Sequence, residues 1–474
     1  MYSSVSSILP IGSLYEPIKI EAKLLSGLPS FKIVGIPERS ARDIKERVYS
    51  AIKSSGYKFP SKKVRVSITP SGFPISCEGL DLPVAISILM ASAALPSSSG
   101  KTAAYGALTL AGELKGCFGM PQFRSFATSL EAESTNCSSL LDACRAIVSS
   151  KAAPLSLSKQ IELIGKRSPN SSTRLVVNDY IRRVLLITVG GRHNCLIRGP
   201  YGIGKSKFLE LMSQILPEPV DDELDQLGMM EYKEEGYHFP YSQITPLTHM
   251  TDLIGKPSQP GSGILHRSNL GVIAIDEINS LSNRAISLFQ ECLDRQQHEL
   301  YICNRPYRIP TKFILAGSMN LCKCGLKGLE TNGDTALQCS CSQLDIERHN
   351  SRMTPRFLSR FAVRVTLNSN LLDSEGSQSS SKQNEPEQIS KSIRLLWNLQ
   401  RERGGMLNSQ LEVTDIDQTI YSSEALDQLS TIRSRERVPL RDCLSIARVA
   451  RTIADIDGNE LVTVENMLEA RGLR

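Results

Sequence analysis

No stretch of this 474-residue chain comes near the roughly 20 consecutive apolar residues that a membrane-spanning helix needs, which excludes a helical membrane protein. Met1 to Leu28 also lacks a basic start followed by an apolar run, so no secretory leader is expected and the cytoplasm is the expected location. A large excess of one charge is missing too. The 55 basic and 49 acidic side chains leave a net charge of +6, far from the basic stripe that announces a nucleic-acid binder by composition alone. Charge by itself names no partner. Without a leader, the 12 cysteines read as thiols or metal ligands and not as disulfides. What is present in ordinary measure is core-forming material. With 41% hydrophobic and 22% charged residues, each part of the chain can bury a core without crosslinks, and the length implies about three domains.

Residues 1 to about 165 mix short strand-like runs, such as Val64-Arg65-Val66-Ser67-Ile68, with helical stretches, which reads as one α+β domain. After Gly35-Ile36-Pro37, the apolar residues Ala41, Ile44, Val48 and Ile52 recur at helical spacing with charges opposite. That spacing predicts a helix from near Ser40 whose stripe packs the core. A Ser- and Ala-rich stretch around Ser149 to Ser158 places the first boundary near 165. From 166 to 367, apolar β-type runs alternate with helical segments, the pattern of a parallel sheet covered by helices. Residues 368–388 include a run of Ser, Gln, Glu and Asn too polar to offset the entropy of ordering, and read as a flexible loop. From 389 to 474 the chain is helical, with one periodic segment through Leu440, Leu444, Ala447 and Ala450 ending at Asp457-Gly458. The expected fold is α/β: an α+β N-terminal domain, an α/β core with a parallel sheet, and a C-terminal helical domain.

The densest chemistry lies at Gly199-Pro200-Tyr201-Gly202-Ile203-Gly204-Lys205-Ser206, which fits G-x-x-x-x-G-K-S and follows the apolar run Cys195-Leu196-Ile197. Glycines at 199, 202 and 204 let the backbone curl so that N–H groups face phosphate oxygens at the positive end of the following helix. Lys205 brings charge to the β- and γ-phosphates, and the Ser206 hydroxyl is placed to ligand Mg²⁺. A ligand-free Gly-rich turn is the bland alternative, and a second motif argues against it. Gly271-Val272-Ile273-Ala274-Ile275 is an apolar run that delivers Asp276 and Glu277 to a sheet edge. There Asp276 can hold the Mg²⁺ shell and Glu277 can polarise an attacking water. The cofactors implied are ATP and Mg²⁺.

Four cysteines stand apart from the eight singletons. Cys322-x-Cys324 and Cys339-x-Cys341 bring four thiols in two close pairs, a set able to satisfy a tetrahedral Zn²⁺. Reduced free thiols and a redox pair are the alternatives.

Gly35-Ile36-Pro37, Asp81-Leu82-Pro83-Val84-Ala85, Gly190-Gly191-Arg192-His193-Asn194, Asn320-Leu321-Cys322-Lys323-Cys324-Gly325 and Ala450-Arg451-Thr452-Ile453-Ala454-Asp455 carry a resemblance across nearly the whole chain. The sequence resembles the AAA+ ATPases of the magnesium-chelatase-like group, in particular the ComM (YifB) subfamily. The resemblance implies a Lon-protease-like N-terminal domain (the ribosomal protein S5 domain 2-like fold), an AAA+ module with the Cys-pair insert at 322–341, and a helical lid. It implies further residues in named roles. Asn320 aligns with the sensor that orients the attacking water, Arg360 with an arginine finger acting on a neighbour's nucleotide, and Arg441 with a second sensor carried by the lid. Two departures stand out near the finger, where Ser359 replaces the family's usual Asp and Arg356 adds a nearby cation. The proteolytic relatives carry a nucleophilic serine where this chain has Glu78-Gly79-Leu80-Asp81, so peptidase activity is not expected.

Glu299 to Pro310 reads as a hairpin, which in this group faces the ring pore, with Arg305, Tyr307 and Arg308 either contacting nucleic acid or packing the hairpin. Pro240 to Pro246 stands where the group usually carries paired histidines, so a substrate- or ring-facing element there has diverged. The resemblance thus implies a homo-oligomeric ring, hexameric in expectation, that moves along DNA as a branch-migration helicase in recombination or natural transformation. Recombination proteins would be its partners. A chelatase-type motor remodelling a protein partner and a nucleotide-binding regulator without turnover are the alternatives.

Overall fold

A computed structural model describes residues 2–73, 78–96, 102–117, 123, 126–127, 135–149, 155–157, 179–220, 223, 227, 239–256, 258–329, 338–367 and 385–474. The boundary expected near 165 and most of the loop expected at 368–388 lie outside them.

In the strand Lys63–Thr69, Val64, Val66 and Ile68 are buried while Lys63, Arg65, Ser67 and Thr69 take the other face, the period of two of a sheet covered on one side. This strand lies between Leu14–Leu25, antiparallel to it, and Ser30–Val34, parallel to it, and Tyr2–Ile11 completes a four-stranded sheet. The helix Glu38–Ser54 joins the parallel pair and buries Ser40, Ile44, Val48, Ala51 and Ile52. Ala41, expected in that stripe, is only half-buried, because the face repeating at i, i+4 and i+8 runs from Ser40. The next helix, Asp81–Ala91, is buried along its whole length against the sheet and the first helix. Its Asp81 receives a two-pronged ion pair from Arg47, at 2.6 and 3.0 Å, and the Leu108 amide at 3.0 Å. The carboxylate at the start of this helix is thus held in structure.

The second unit is built on five parallel strands in the order Tyr241–Ile244, Val272–Ile275, Ile314–Met319, Cys195–Arg198, Val363–Thr366. The segment from Pro240, expected as a diverged substrate-facing element, is therefore the edge strand of this sheet. Its backbone pairs with Val272–Ile275, and the Ser242 hydroxyl accepts from Ser268 at 2.7 Å. Because all five strands run the same way, the loops that follow them gather on one edge and those that precede them on the other. Among the described residues, no helix is long and apolar enough to cross a membrane.

The C-terminal region is helical, with helices at Glu385–Gly404, Ser423–Arg435, Leu440–Asp457 and Val464–Gly472. The first begins inside the stretch expected as loop. Pro386 sits in its first turn, where a missing N–H costs nothing and a fixed φ favours the helix. Leu440–Asp457 ends on Gly458 at φ 75°, a left-handed stop that glycine adopts freely. Two turns earlier, the buried Arg451 donates to Asp455 at 2.6 Å and to the carbonyls of Asn459 and Glu460, each at 2.7 Å. Asp455 also accepts from Arg403 at 2.5 Å and Asn408 at 2.7 Å. Asp455→Ala leaves the Arg451 charge buried without its counter-ion, so the C-terminal helical region should lose about 3–5 kcal/mol of stability. Urea unfolding followed through Trp397, the sole tryptophan and part of the same core, measures the loss.

Candidate functional site

The strand Cys195–Arg198 ends at Gly199, and the helix Lys205–Gln214 begins where Gly204 takes φ 90°, a left-handed conformation that turns the chain from strand into helix. A Cβ on Gly199 would lie 2.7 Å from the Leu367 carbonyl oxygen, so a side chain there would push the loop off the neighbouring strand. Within the loop, Lys205 is buried and its Nζ donates to the carbonyls of Gly199 (3.1 Å) and Pro200 (2.6 Å) and to Asn320 Oδ1 (2.8 Å). Burial pushes this ammonium below its ordinary range, partly offset by the carboxylates of Asp276 and Glu277. The Ser206 hydroxyl donates to Asp276 Oδ2 at 2.9 Å, and the Ser318 hydroxyl donates to the other oxygen. Glu277 projects to solvent from a left-handed backbone position, φ 53° and ψ 52°, that non-glycine residues occupy at a cost and mainly at functional sites. One edge of the sheet therefore gathers Lys205, Ser206, Asp276, Glu277 and Asn320. Ser318 and His349, which donates to the Asn320 carbonyl at 3.2 Å, join them without having been singled out in the sequence.

Arg360 and Arg441 sit elsewhere. Arg360 precedes the strand Val363–Thr366, so it lies at the opposite edge from the glycine loop. Its Nη2 meets Asp294 Oδ2 at 2.5 Å, while Arg441 Nη2, from the lid helix, meets Asp294 Oδ1 at 2.7 Å. One carboxylate at the end of the helix Asn283–Arg295 thus yokes an arginine of the core to one of the lid. The cleft around them, about 360 Å³, is lined by the cations Arg192, Lys312, Arg360, Arg401, Arg441 and Arg448 against the carboxylates of Glu223 and Asp294. Burial lowers the pKa of Arg192 to about 10, and Arg360 Nε is buried with no hydrogen-bond partner among the described residues. Excess positive charge and an unmet donor fit an incoming anion.

The four cysteines of the two close pairs come together, with all four sulfurs within 4.8 Å of one another. Cys322 Sγ lies 3.3 Å from that of Cys324 and 3.6 Å from that of Cys339. Disulfides need about 2.05 Å. Sulfurs each about 2.3 Å from a shared tetrahedral Zn²⁺ stand roughly 3.8 Å apart, close to the spacing seen, so the set fits that ion.

The hairpin packs against the chain's first domain. It spans Gln297–Ile302 and Arg305–Pro310 around Cys303 and Asn304, both with positive φ, as a tight two-residue turn requires. Its Ile302 and Ile309 are buried in the core of the N-terminal domain, Arg305 pairs with Glu16 at 2.5 Å, and the Tyr307 hydroxyl donates to Glu16 at 2.9 Å. Two of the three side chains weighed as nucleic-acid contacts are held by the chain's own first domain, since apolar burial and a carboxylate within reach decide where the hairpin lies. Arg308, largely exposed, pairs with Glu299 at 3.5 Å.

Three sequence families cover this architecture in order: Subunit ChlI of Mg-chelatase over residues 20–139, Magnesium chelatase, subunit ChlI, over 174–374, and Magnesium chelatase, subunit ChlI C-terminal, over 383–474. The chain belongs to the magnesium-chelatase ChlI family. Within it, the chain is 25% identical to competence protein ComM of Haemophilus influenzae over 96% of this chain and 94% of ComM. It is also 25% identical to YifB of Escherichia coli, over 100% of this chain and 97% of YifB, and 26% identical to YifB of Salmonella typhimurium, over 98% and 95%. Both YifB proteins are described as uncharacterized.

Membership in the ChlI family, an AAA+ ATPase class, gives the two sheet edges a common meaning. The glycine-loop edge presents a lysine, a hydroxyl and two carboxylates, the set that a nucleoside triphosphate with a divalent cation requires. The opposite edge presents Arg360 and Arg441, both bound to Asp294.

Proposed function

We propose that this chain is an ATPase that works as a closed ring of identical copies, hexameric in expectation, with each nucleotide held by the loop of one copy and completed by arginines of the next. The observation that carries it is the separation of Lys205 and Ser206 from Arg360 and Arg441 by the full depth of the parallel sheet. A head-to-tail contact between unlike edges generates a ring when its rotation closes. On this reading Lys205 binds the β- and γ-phosphates, Ser206 and Asp276 hold Mg²⁺, Glu277 polarises water, Asn320 orients it, and Arg360 and Arg441 serve the neighbour's γ-phosphate. ATP with Mg²⁺ is the cofactor set, and the thiol cluster takes Zn²⁺.

The work done by this ring is, on the same proposal, movement along DNA in recombination. Two things support DNA as the track. One is similarity to a protein named for competence. The other is the open face of the N-terminal sheet, where Lys23, Arg65 and Lys32 stand directly across from one another on three adjacent strands, all exposed, with Lys19 and Lys63 flanking. Like charges in cross-strand register destabilise a sheet, a cost that a polyanion laid across them removes. Replacing Lys23, Arg65 and Lys32 together with glutamine should weaken DNA binding and flatten the log-log dependence of affinity on salt by about 3. The thermal midpoint should stay the same or rise. Fluorescence anisotropy of a labelled oligonucleotide and a thermal melt read the two effects.

ATP hydrolysis measured with and without branched DNA, beside a Glu277→Gln control, tests the whole reading. Turnover that DNA stimulates and the substitution abolishes supports it. Turnover indifferent to DNA points instead to a motor remodelling a protein partner, and no turnover to a nucleotide-binding regulator.

A further inference from the structure

The thiol cluster does not stand apart from the nucleotide loop. Gly325, inside the first cysteine pair's turn, accepts a hydrogen bond at 2.7 Å from the Tyr201 amide, in the middle of the glycine loop. The two backbones press together, since a Cβ on Gly325 would lie 3.1 Å from that of Tyr201. Upstream, Cys322 follows two residues after Asn320, whose amide oxygen receives Lys205. Downstream, Cys341 leads into the helix Gln343–Asn350, capped by Ser342, and its His349 returns to donate to the Asn320 carbonyl at 3.2 Å. Both ends of the cysteine-bearing segment therefore grip the residues that hold Lys205.

Among the described residues of that segment, little else holds it. Cys322 is buried and its sulfur accepts from the Lys327 amide at 3.4 Å, a bond that suits a metal-bound thiolate, but Cys324 is exposed and Cys339 and Cys341 are half-exposed. None of the helix Gln343–Asn350 is buried. Small loops with thin cores close on a metal because ligand binding supplies what burial does not.

We propose that Cys322, Cys324, Cys339 and Cys341 bind one Zn²⁺ and that the metal-tied segment is a clasp on the nucleotide loop, fixing the loop backbone at Tyr201, whose amide Gly325 holds, and the Asn320 side chain that receives Lys205. The clasp rests on the nucleotide reading for its purpose but not for its mechanics. Zinc sets the loop's order before any nucleotide arrives.

Its test is amide hydrogen exchange on the full chain without nucleotide, with metal content measured on the same sample. The expected result is one zinc per chain and slow exchange at Tyr201. Stripping with a chelator should speed that exchange about tenfold, the worth of one backbone hydrogen bond, and adding zinc back should restore it. Exchange in the helix Asp81–Ala91 serves as the control for general unfolding. A second variant avoids removing any ligand: Gly325→Ala should keep its zinc and still speed exchange at Tyr201. Absence of zinc from the purified chain, or Tyr201 exchange that ignores both stripping and Gly325→Ala, overturns the clasp. ADP binding to the zinc-loaded chain is measured separately; its absence would sink the nucleotide reading and leave the exchange result standing.

Discussion

Replacing Arg360 with alanine is expected to slow ATP turnover by about a thousandfold, while nucleotide still binds each chain's own loop with near-normal affinity. The two effects separate because the side chain lies at the opposite edge of the sheet from Lys205, held by Asp294 and not by any group of the glycine loop. An arginine serving its own chain's nucleotide would weaken binding and turnover together. One that arrives from a neighbour acts on charge developing during phosphoryl transfer and is absent from the isolated site. Asp294 explains how such a residue is kept ready. Its carboxylate bridges Arg360 and Arg441, leaving the trio one positive charge in excess, so a buried guanidinium need not stand alone before the neighbour's phosphate replaces it. Steady-state turnover and binding of a fluorescent ADP analogue, measured on the same preparation, check the separation.

The second large effect is expected at Glu277→Gln, with turnover falling by about 100- to 1,000-fold and nucleotide retained. Glutamine has the same shape and tolerates the same backbone, so the left-handed position at φ 53° survives and the loss reports the carboxylate's charge alone. Lys205, Ser206 and Asp276 stay in place, and the variant should hold ATP unhydrolysed. Its assembly in ATP, observed by native mass spectrometry, should therefore be more complete than that of the parent chain.

The sequence made the glycine loop legible because its chemistry is local. Gly204 must reverse the backbone where Lys205 starts the helix, and spacing alone reveals that need. Asp276 and Glu277 were legible for a related reason, as carboxylates at the end of a run that can only be a buried strand. The helix stripe was legible as well, since Ile44, Val48 and Ile52 are buried and Ala41 packs partly buried beside them, while Ser40, polar yet buried, gave no signal. What could not be read depends on contacts between distant segments. Asp294 looks like any acid on a helix until folding brings Arg360 and Arg441 to its two oxygens, 66 and 147 residues away in sequence. Glu16 captures Arg305 across 289 residues, which turns a hairpin with the composition of a nucleic-acid contact toward the first domain. Pro240 to Pro246 carried no strand signal strong enough to outweigh its prolines, which flank the four-residue strand Tyr241–Ile244 without entering it. Ser318 gave no signal at all, being a small residue at the buried end of a strand.

The claim on which the rest stands is that each nucleotide site belongs to two copies. It is tested most directly by mixing equal amounts of Lys205→Ala chains and Arg360→Ala chains, each expected to be nearly inactive alone. In randomly mixed rings, about a quarter of the junctions pair an intact loop from one variant with an intact arginine from the other. The mixture is expected to recover ATP turnover approaching that fraction of the parent rate. A mixture no more active than the average of its two components would contradict it.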